Sequence, residues 1–366
     1  MLLGYDYGNT RLRARRSRLL MAADYDGLLA KTNIDEVITT LTEGPYKEDI
    51  ERALVRFTGV RCVFEAIRLS LTRTLNRVRE FYRGEPRFLV ELLLRRWDRH
   101  NLLAILRGQS REVPSDRVLA AIVPAGQLDQ VALRELARQP GLRAAIDLLA
   151  TWQLPYAKTL RQVEPRTGTM PDLDQLELAL NRFHYASLSS VLAQGGHDCG
   201  LMLEHLGREV DLLNLRTILR VARRPGIIPL IQQRYNAADI RPLLIEPRGR
   251  LSTRWLAQLV AETGELEAVV HALSDTAYGP ALEIGWQRYQ AAQGDFTLLE
   301  RELERWQAEQ TAAMFNRDPL SIAIPIAYMG SIETEAANLR LIAQAVDLGM
   351  NRQQVRQDLI IVSHGG

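Results

Sequence analysis

Asp211-Leu212-Leu213-Asn214-Leu215-Arg216-Thr217-Ile218 decides how the chain is read, because its skeleton returns twice. Asp98-x-x-Asn101-Leu102 with Ile105 lies before it, and Glu335-x-x-Asn338-Leu339 with Ile342 lies after it. An acid three residues before Asn, with Leu one and Ile four residues after it, falls on consecutive turns of a helix. Working outward, each Asn is preceded at a near-constant distance by a Leu/Thr/Tyr landmark. Leu41, Thr42 and Tyr46 precede Asn101, Leu149, Thr151 and Tyr156 precede Asn214, and Leu273, Thr276 and Tyr278 precede Asn338; the Tyr-to-Asn separations are 55, 58 and 60 residues. A short apolar helical run leads into each landmark: Ile34, Val37, Ile38, then Leu142, Ala145, Ile146, then Leu266, Val269, Val270. The chain reads as one helical unit built three times, with a period of roughly 110 to 125 residues, far longer than that of solenoid repeats. The units are expected at residues 1–111, 112–225 and 226–366, forming an all-α body with pseudo-threefold character.

Composition fits this reading. With 366 residues, 46% of them hydrophobic, the chain can fill two or three packed cores. Cys62 and Cys199 are its only cysteines and the opening MLLGYDYGNT has no basic segment followed by an apolar stretch, so a reducing, cytoplasmic location is expected. The apolar run from Pro319 to Ile332 is too short to span a bilayer and contains Pro325, so it is expected to be buried or interfacial. Net charge is +2 but unevenly placed: +7 over residues 1–111, +2 over 112–251 and −7 over 252–366. Such asymmetry suits a body whose units face different partners.

Helix periodicity dominates, as in Leu173 through Leu192 and Leu201 through Leu219. Gly and Pro break it at Gly84-Glu85-Pro86, Pro124-Ala125-Gly126, Gly168 to Pro171, Gly195-Gly196, Pro225-Gly226, Pro247 to Gly249 and Gly279-Pro280. Asp116, Asp172, Asp198, Ser252 and Asp295 are expected N-caps.

Catalytic signatures are missing from the sequence. It has no G-x-x-x-x-G-K-[ST] phosphate loop, no G-x-S-x-G elbow and no H-E-x-x-H pair, so no catalytic residue, cofactor or metal is assigned. His184, His197, Cys199 and His205 match no common zinc spacing and read as packing or capping residues. Glu300, Glu302, Glu304 and Glu309, interspersed with Arg301 and Arg305, read as a solvated helix face with i,i+4 pairs. Arg11, Arg13, Arg15, Arg16 and Arg18 form the densest basic stretch; on one helix Arg11, Arg15 and Arg18 share a face fit for phosphate, acidic headgroups or an acidic protein. The three mid-helix Asn residues need buried hydrogen-bond partners, and the expected role is to tie the last helix of each unit to a neighbouring turn, with the Thr/Tyr landmark as candidate.

Tyr5-Asp6-Tyr7-Gly8-Asn9-Thr10-Arg11-Leu12-Arg13-Ala14-Arg15, the central Asp211-to-Arg220 segment, and Pro325-x-x-Tyr328 through Glu335-x-x-Asn338-Leu339-Arg340-Leu341-Ile342 together resemble the C subunits of the V/A-type ATP synthases, the counterparts of the eukaryotic V-ATPase d subunit. The resemblance covers essentially the whole chain. It departs where Gln344 stands in place of Arg107 and Arg220, and where Ser331-Ile332-Glu333-Thr334 lacks a basic residue before its acid. It implies a helical funnel around a central cavity and a non-catalytic rotor adaptor. Such an adaptor would join central-stalk subunits to the membrane ring of proteolipid subunits, peripheral on the cytoplasmic face, with neither nucleic acid nor a small-molecule substrate. The competing reading is a freestanding helical scaffold, or a nucleic-acid-binding protein using the Arg11-to-Arg18 face.

Overall fold

The computed structural model describes residues 4–163, 172–246 and 249–362, and among these the chain is all-α, with no strand. An opening helix, α1 (Asp6–Arg16), is followed by three short helices and two long ones: α2 (Ala22–Leu29), α3 (Ile34–Thr42), α4 (Lys47–Leu54), α5 (Gly59–Glu80) and α6 (Gly84–Ser110). After α7 (Ser115–Ala120) the same order returns in α8 (Gln130–Ala137), α9 (Leu142–Thr151), α10 (Pro155–Val163), α11 (Leu173–Leu192) and α12 (His197–Ala222). After α13 (Ile228–Tyr235) it returns again in α14 (Thr253–Thr263), α15 (Leu266–Ala272), α16 (Gly279–Ala291), α17 (Phe296–Ala312) and α18 (Ala323–Leu348), before the closing α19 (Arg352–Asp358). The chain packs as two compact units, Met1–Leu180 with Thr311–Gly366, and Asn181–Gln310.

In the first of these, the main packing is of α18 and α4 on α5. The α5 sequence places Cys62, Val63, Ala66, Ile67, Leu71, Leu75 and Val78 on the buried side at helical spacing. The apolar run from Pro319 to Ile332 supplies the first half of α18, buried from Ser321 through Met329. Pro325 is tolerated because it lies in the first helical turn, where its missing N–H would have had no intrahelical acceptor. No helix among the described residues is long and apolar enough to cross a membrane. In the second unit, α12, α14, α15, α16 and α17 share a core that includes Leu215, Leu219, Leu256, Val269, Leu282, Leu299 and Leu303. Each such side chain contributes about 1.5–3 kcal/mol by leaving water.

Ends and turns follow local chemistry. Ser252 caps α14 through the Trp255 N–H, and Asp172 and Asp295 accept from Asp174 and Thr297 at the starts of α11 and α17. Asp116 and Asp198 are instead the second residues of α7 and α12, where a carboxylate still favours the helix N-terminus. Asn33, Asp129 and Asn351 are further caps. The breaks at Gly168 to Pro171 and at Pro247-Arg248 lie outside the described residues.

After each of the helices α6, α12 and α18 the chain turns back, and the mid-helix Asn holds the returning segment. Asn101 donates through Nδ2 to the Val123 carbonyl at 2.8 Å and accepts the Val123 N–H at 2.9 Å. Asn214 does the same with Ile245, at 3.1 and 2.8 Å, and Asn338 with Ile360, at 2.8 and 3.0 Å. All three amides are at most 1% exposed. An amide carries both donor and acceptor, so it can pair completely with an extended residue that has no sheet partner. Asn214→Ala would leave the Ile245 N–H and carbonyl buried without that partner, and should lower stability to urea by about 2–4 kcal/mol. A change below about 0.5 kcal/mol would contradict the assignment.

Candidate functional site

The acid one turn before each Asn is a second anchor. Asp98 on α6 accepts the backbone N–H groups of Gln127 and Leu128, both at 2.9 Å, and is hydrogen-bonded by the Tyr156 hydroxyl. Asp211 on α12 accepts from the N–H groups of Arg250 and Leu251 at 2.9 and 3.1 Å, and from the Tyr278 hydroxyl at 2.7 Å. Glu335 on α18 accepts the Leu20 N–H at 2.6 Å and the Tyr46 hydroxyl at 2.7 Å. The landmark tyrosines therefore meet the acids, while the Asn residues meet the returning segments. Each acid also reaches a tyrosine beyond its own expected unit: Asp98 holds Tyr156, Asp211 holds Tyr278, and Glu335 comes back to Tyr46, 289 residues earlier.

Glycine makes two of these clamps possible. A Cβ on Gly126 would lie 2.2 Å from an Asp98 carboxyl oxygen, and one on Gly249 would lie 2.3 Å from an Asp211 oxygen. The recurring Gly126-Gln127-Leu128-Asp129 and Gly249-Arg250-Leu251-Ser252, each ending on a helix N-cap, was the sequence signal for this loop. At the third clamp the corresponding run is Arg18-Leu19-Leu20-Met21, and the longer Glu335 accepts a single backbone amide there.

Burial pushes the carboxyls of Asp98, Asp211 and Glu335 above their ordinary range, against the opposing effect of the hydrogen bonds they accept. Burial, with the neighbouring acid, raises Tyr46, Tyr156 and Tyr278 as well, so each hydroxyl remains a donor.

Ion pairs add a lesser set of ties. Arg107 forks onto Glu177 at 2.6 and 2.7 Å, and Arg220 meets Glu300 at 2.6 Å, whereas Gln344 cannot form such a pair. The exposed arginines limit each to about 1 kcal/mol or less. The acidic stretch on α17 is solvated only in part: Glu309 is exposed, whereas Glu302 is not. Glu302 is 5% exposed and pairs with Arg288 and Arg305, and Glu304 pairs with Arg216 and Arg301. Arg301 and Arg305 pair at i,i+3 within α17, whereas Arg216 and Arg288 lie on other helices, where sequence spacing did not reveal them.

The basic face of α1 divides. Arg11 is exposed and lies over the rings of Tyr7 and Phe81, 4.8 and 5.8 Å from their centroids. Arg15 also approaches the Phe81 ring, hydrogen-bonds to Tyr328, and with Arg18 lines a cavity of about 350 Å³ between α1, α5 and α18. Arg13 donates to the Phe315 carbonyl at 3.1 Å, and Arg16 covers the Phe315 ring. Among the described residues no three His, Cys, Asp or Glu side chains converge as a metal site. His205 lies 3.5 Å from Glu209, and Cys199 packs against Gly195.

The raised carboxyls give a pH signature. A carboxyl with a higher pKa in the folded than in the unfolded chain adds stability below the unfolded value, and that share is lost as pH rises through the folded one. For Glu335 the window opens near the ordinary value of about 4.3 and extends upward. Glu335→Gln should therefore make the decline in stability across that window shallower, whatever its constant offset. Parallel stability profiles for variant and parent, measured by denaturant titration at several pH values, would contradict this.

The sequence model of the ATP synthase (C/AC39) subunit family matches residues 8–358. The chain is similar to the C subunit of the A-type ATP synthase of Methanosarcina barkeri, with 25% identity covering 98% of this chain and 93% of that protein. It is also similar to the proteins of that name from Archaeoglobus fulgidus, at 23% identity with 96% and 95% covered, and Haloferax volcanii, at 24% with 98% and 97% covered. A match running from the first helix to the last places the whole fold in one lineage of rotary-ATPase subunits, and the chain belongs to the ATP synthase (C/AC39) subunit family.

Proposed function

We propose that this subunit is the non-catalytic adaptor of the rotor, receiving the tip of the central stalk and standing on the ring of proteolipid subunits at the cytoplasmic face of the membrane. The observation that carries the reading is the family match along residues 8–358. A torque coupling must resist twisting, and stiffness requires that successive helices be locked and that the ends of the chain be joined. The buried clamps supply the first. Glu335 with Tyr46 and Leu20, and Asn9 with the carbonyls of Pro319 and Ser321 at 2.8 and 2.9 Å, supply the second.

The three sequence units, residues 1–111, 112–225 and 226–366, are proposed to surround a central cavity as a funnel. The charge difference between residues 1–111 and residues 252–366 would orient the body between stalk and ring. Within this reading Arg11 is the candidate contact for an acidic partner surface, because it is exposed and outside the cavity that Arg15 and Arg18 line. Arg11 already covers the aromatic faces of Tyr7 and Phe81 on which a nucleic-acid base would stack, which weighs against the nucleic-acid alternative.

Removal of the subunit from the enzyme reconstituted in vesicles should leave ATP hydrolysis by the catalytic head while ion pumping falls to background. Pumping that stays fully coupled to hydrolysis without the subunit would eliminate the adaptor role.

A further inference from the structure

The cavity of about 350 Å³ beside Glu335 has a lining that the clamps do not explain. Four arginines line it: Arg15 and Arg18 from α1 and the turn after it, and Arg73 and Arg77 from α5. On α5 the lining residues Ser70, Arg73, Thr74 and Arg77 follow i, i+3, i+4, i+7, so a single helix face presents two guanidinium groups and two hydroxyls to one space. Like charges at i,i+3 and i,i+4 repel by some tenths of a kcal/mol each unless a counter-charge is present. Of the four, only Arg73 has a counter-charge among the described residues: the fully buried Asp49 at 2.5 Å, with Glu48 at 3.9 Å. Arg15 hydrogen-bonds to the neutral Tyr328, and among the described residues Arg18 and Arg77 have no ion pair. Ile67, Leu71 and Ile332 form an apolar wall, and Glu335 is already occupied by Tyr46 and Leu20.

We infer that this cavity is a binding site for a phosphate-bearing anion of more than one charge, held by Arg15, Arg18 and Arg77 with Ser70 and Thr74 as neutral donors. A phosphate offers several strong acceptor oxygens to guanidinium forks, which present five donors in fixed geometry and remain charged at all working pH values. The cavity volume falls at the lower end of the range for small-ligand sites, about 300–1,000 Å³. The low-polarity wall and the half-buried α5 arginines strengthen attraction relative to an open surface. This inference is independent of the adaptor role.

The test uses the purified chain at low ionic strength, with inorganic pyrophosphate as the titrant in calorimetry. It should bind at one site with a dissociation constant below about 1 mM, and the double variant Arg18→Ala/Arg77→Ala should bind at least about tenfold more weakly. Arg73 is left intact because it neutralises Asp49. Arg56→Ala, at an exposed arginine outside the cavity, should bind as the parent does, and unchanged circular dichroism and melting would exclude unfolding of the double variant. A parallel flotation assay with phosphatidylcholine vesicles, with and without phosphatidic acid, separates the sources of phosphate. Pyrophosphate binding without flotation identifies a free anion. Flotation that requires phosphatidic acid, Arg18 and Arg77 identifies a lipid headgroup. Absence of binding in both assays, binding unchanged in the double variant, or tighter binding of a glutamate-rich peptide than of pyrophosphate would overturn the assignment.

Discussion

A carboxyl buried on a long helix, one turn before an asparagine, is the constraint on which the rest of this structure depends. Isolated, such a group would be costly, because removing a charge from water without partners is among the most unfavourable steps in folding. Here Asp98, Asp211 and Glu335 each receive a tyrosine hydroxyl together with one or two backbone amides, while the Asn three residues later takes both polar groups of an extended residue. Two adjacent turns of one helix thereby fix the segment that leaves it and the short helices that come after. Hydrophobic packing alone leaves such helices free to slide by a residue, whereas these hydrogen bonds have a single register.

The third clamp has a different consequence from the first two. The acid on α6 reaches forward to Tyr156 in the first turn of α10, and the acid on α12 reaches forward to the turn before α16. For Glu335 on α18 the only landmark tyrosine left lies near the start of the chain, and it pairs with Tyr46. Arg356 with Asp26, and Arg352 with the Lys31 carbonyl, reinforce the same closure at the surface. Local helix formation thus leads to long-range closure.

Much of this was legible in the sequence, and what was missed has a physical reason. Helix class, the recurrence of Asn101, Asn214 and Asn338, and the three tyrosines came from periodicity and spacing, which report position along a chain. Which polar group meets which is set by packing. Nothing local indicates that Tyr46 finds an acid 289 residues away, or that Asn214 holds Ile245 in preference to a Thr/Tyr turn. The same limit made Glu302 look solvated, since its Arg288 partner lies on another helix. It also left Arg73 and Arg77 without any sequence signal, because only packing brings them to one cavity with Arg15 and Arg18.

The most direct test of the central claim is a double-mutant cycle on Tyr46 and Glu335, with stability measured by denaturant unfolding of the parent, Tyr46→Phe, Glu335→Gln and the double variant. A direct buried hydrogen bond that joins the two ends of the chain should give a coupling energy of about 1 kcal/mol or more. Effects that add to within about 0.3–0.5 kcal/mol would mean that the two side chains act independently and that the closure does not rest on their bond.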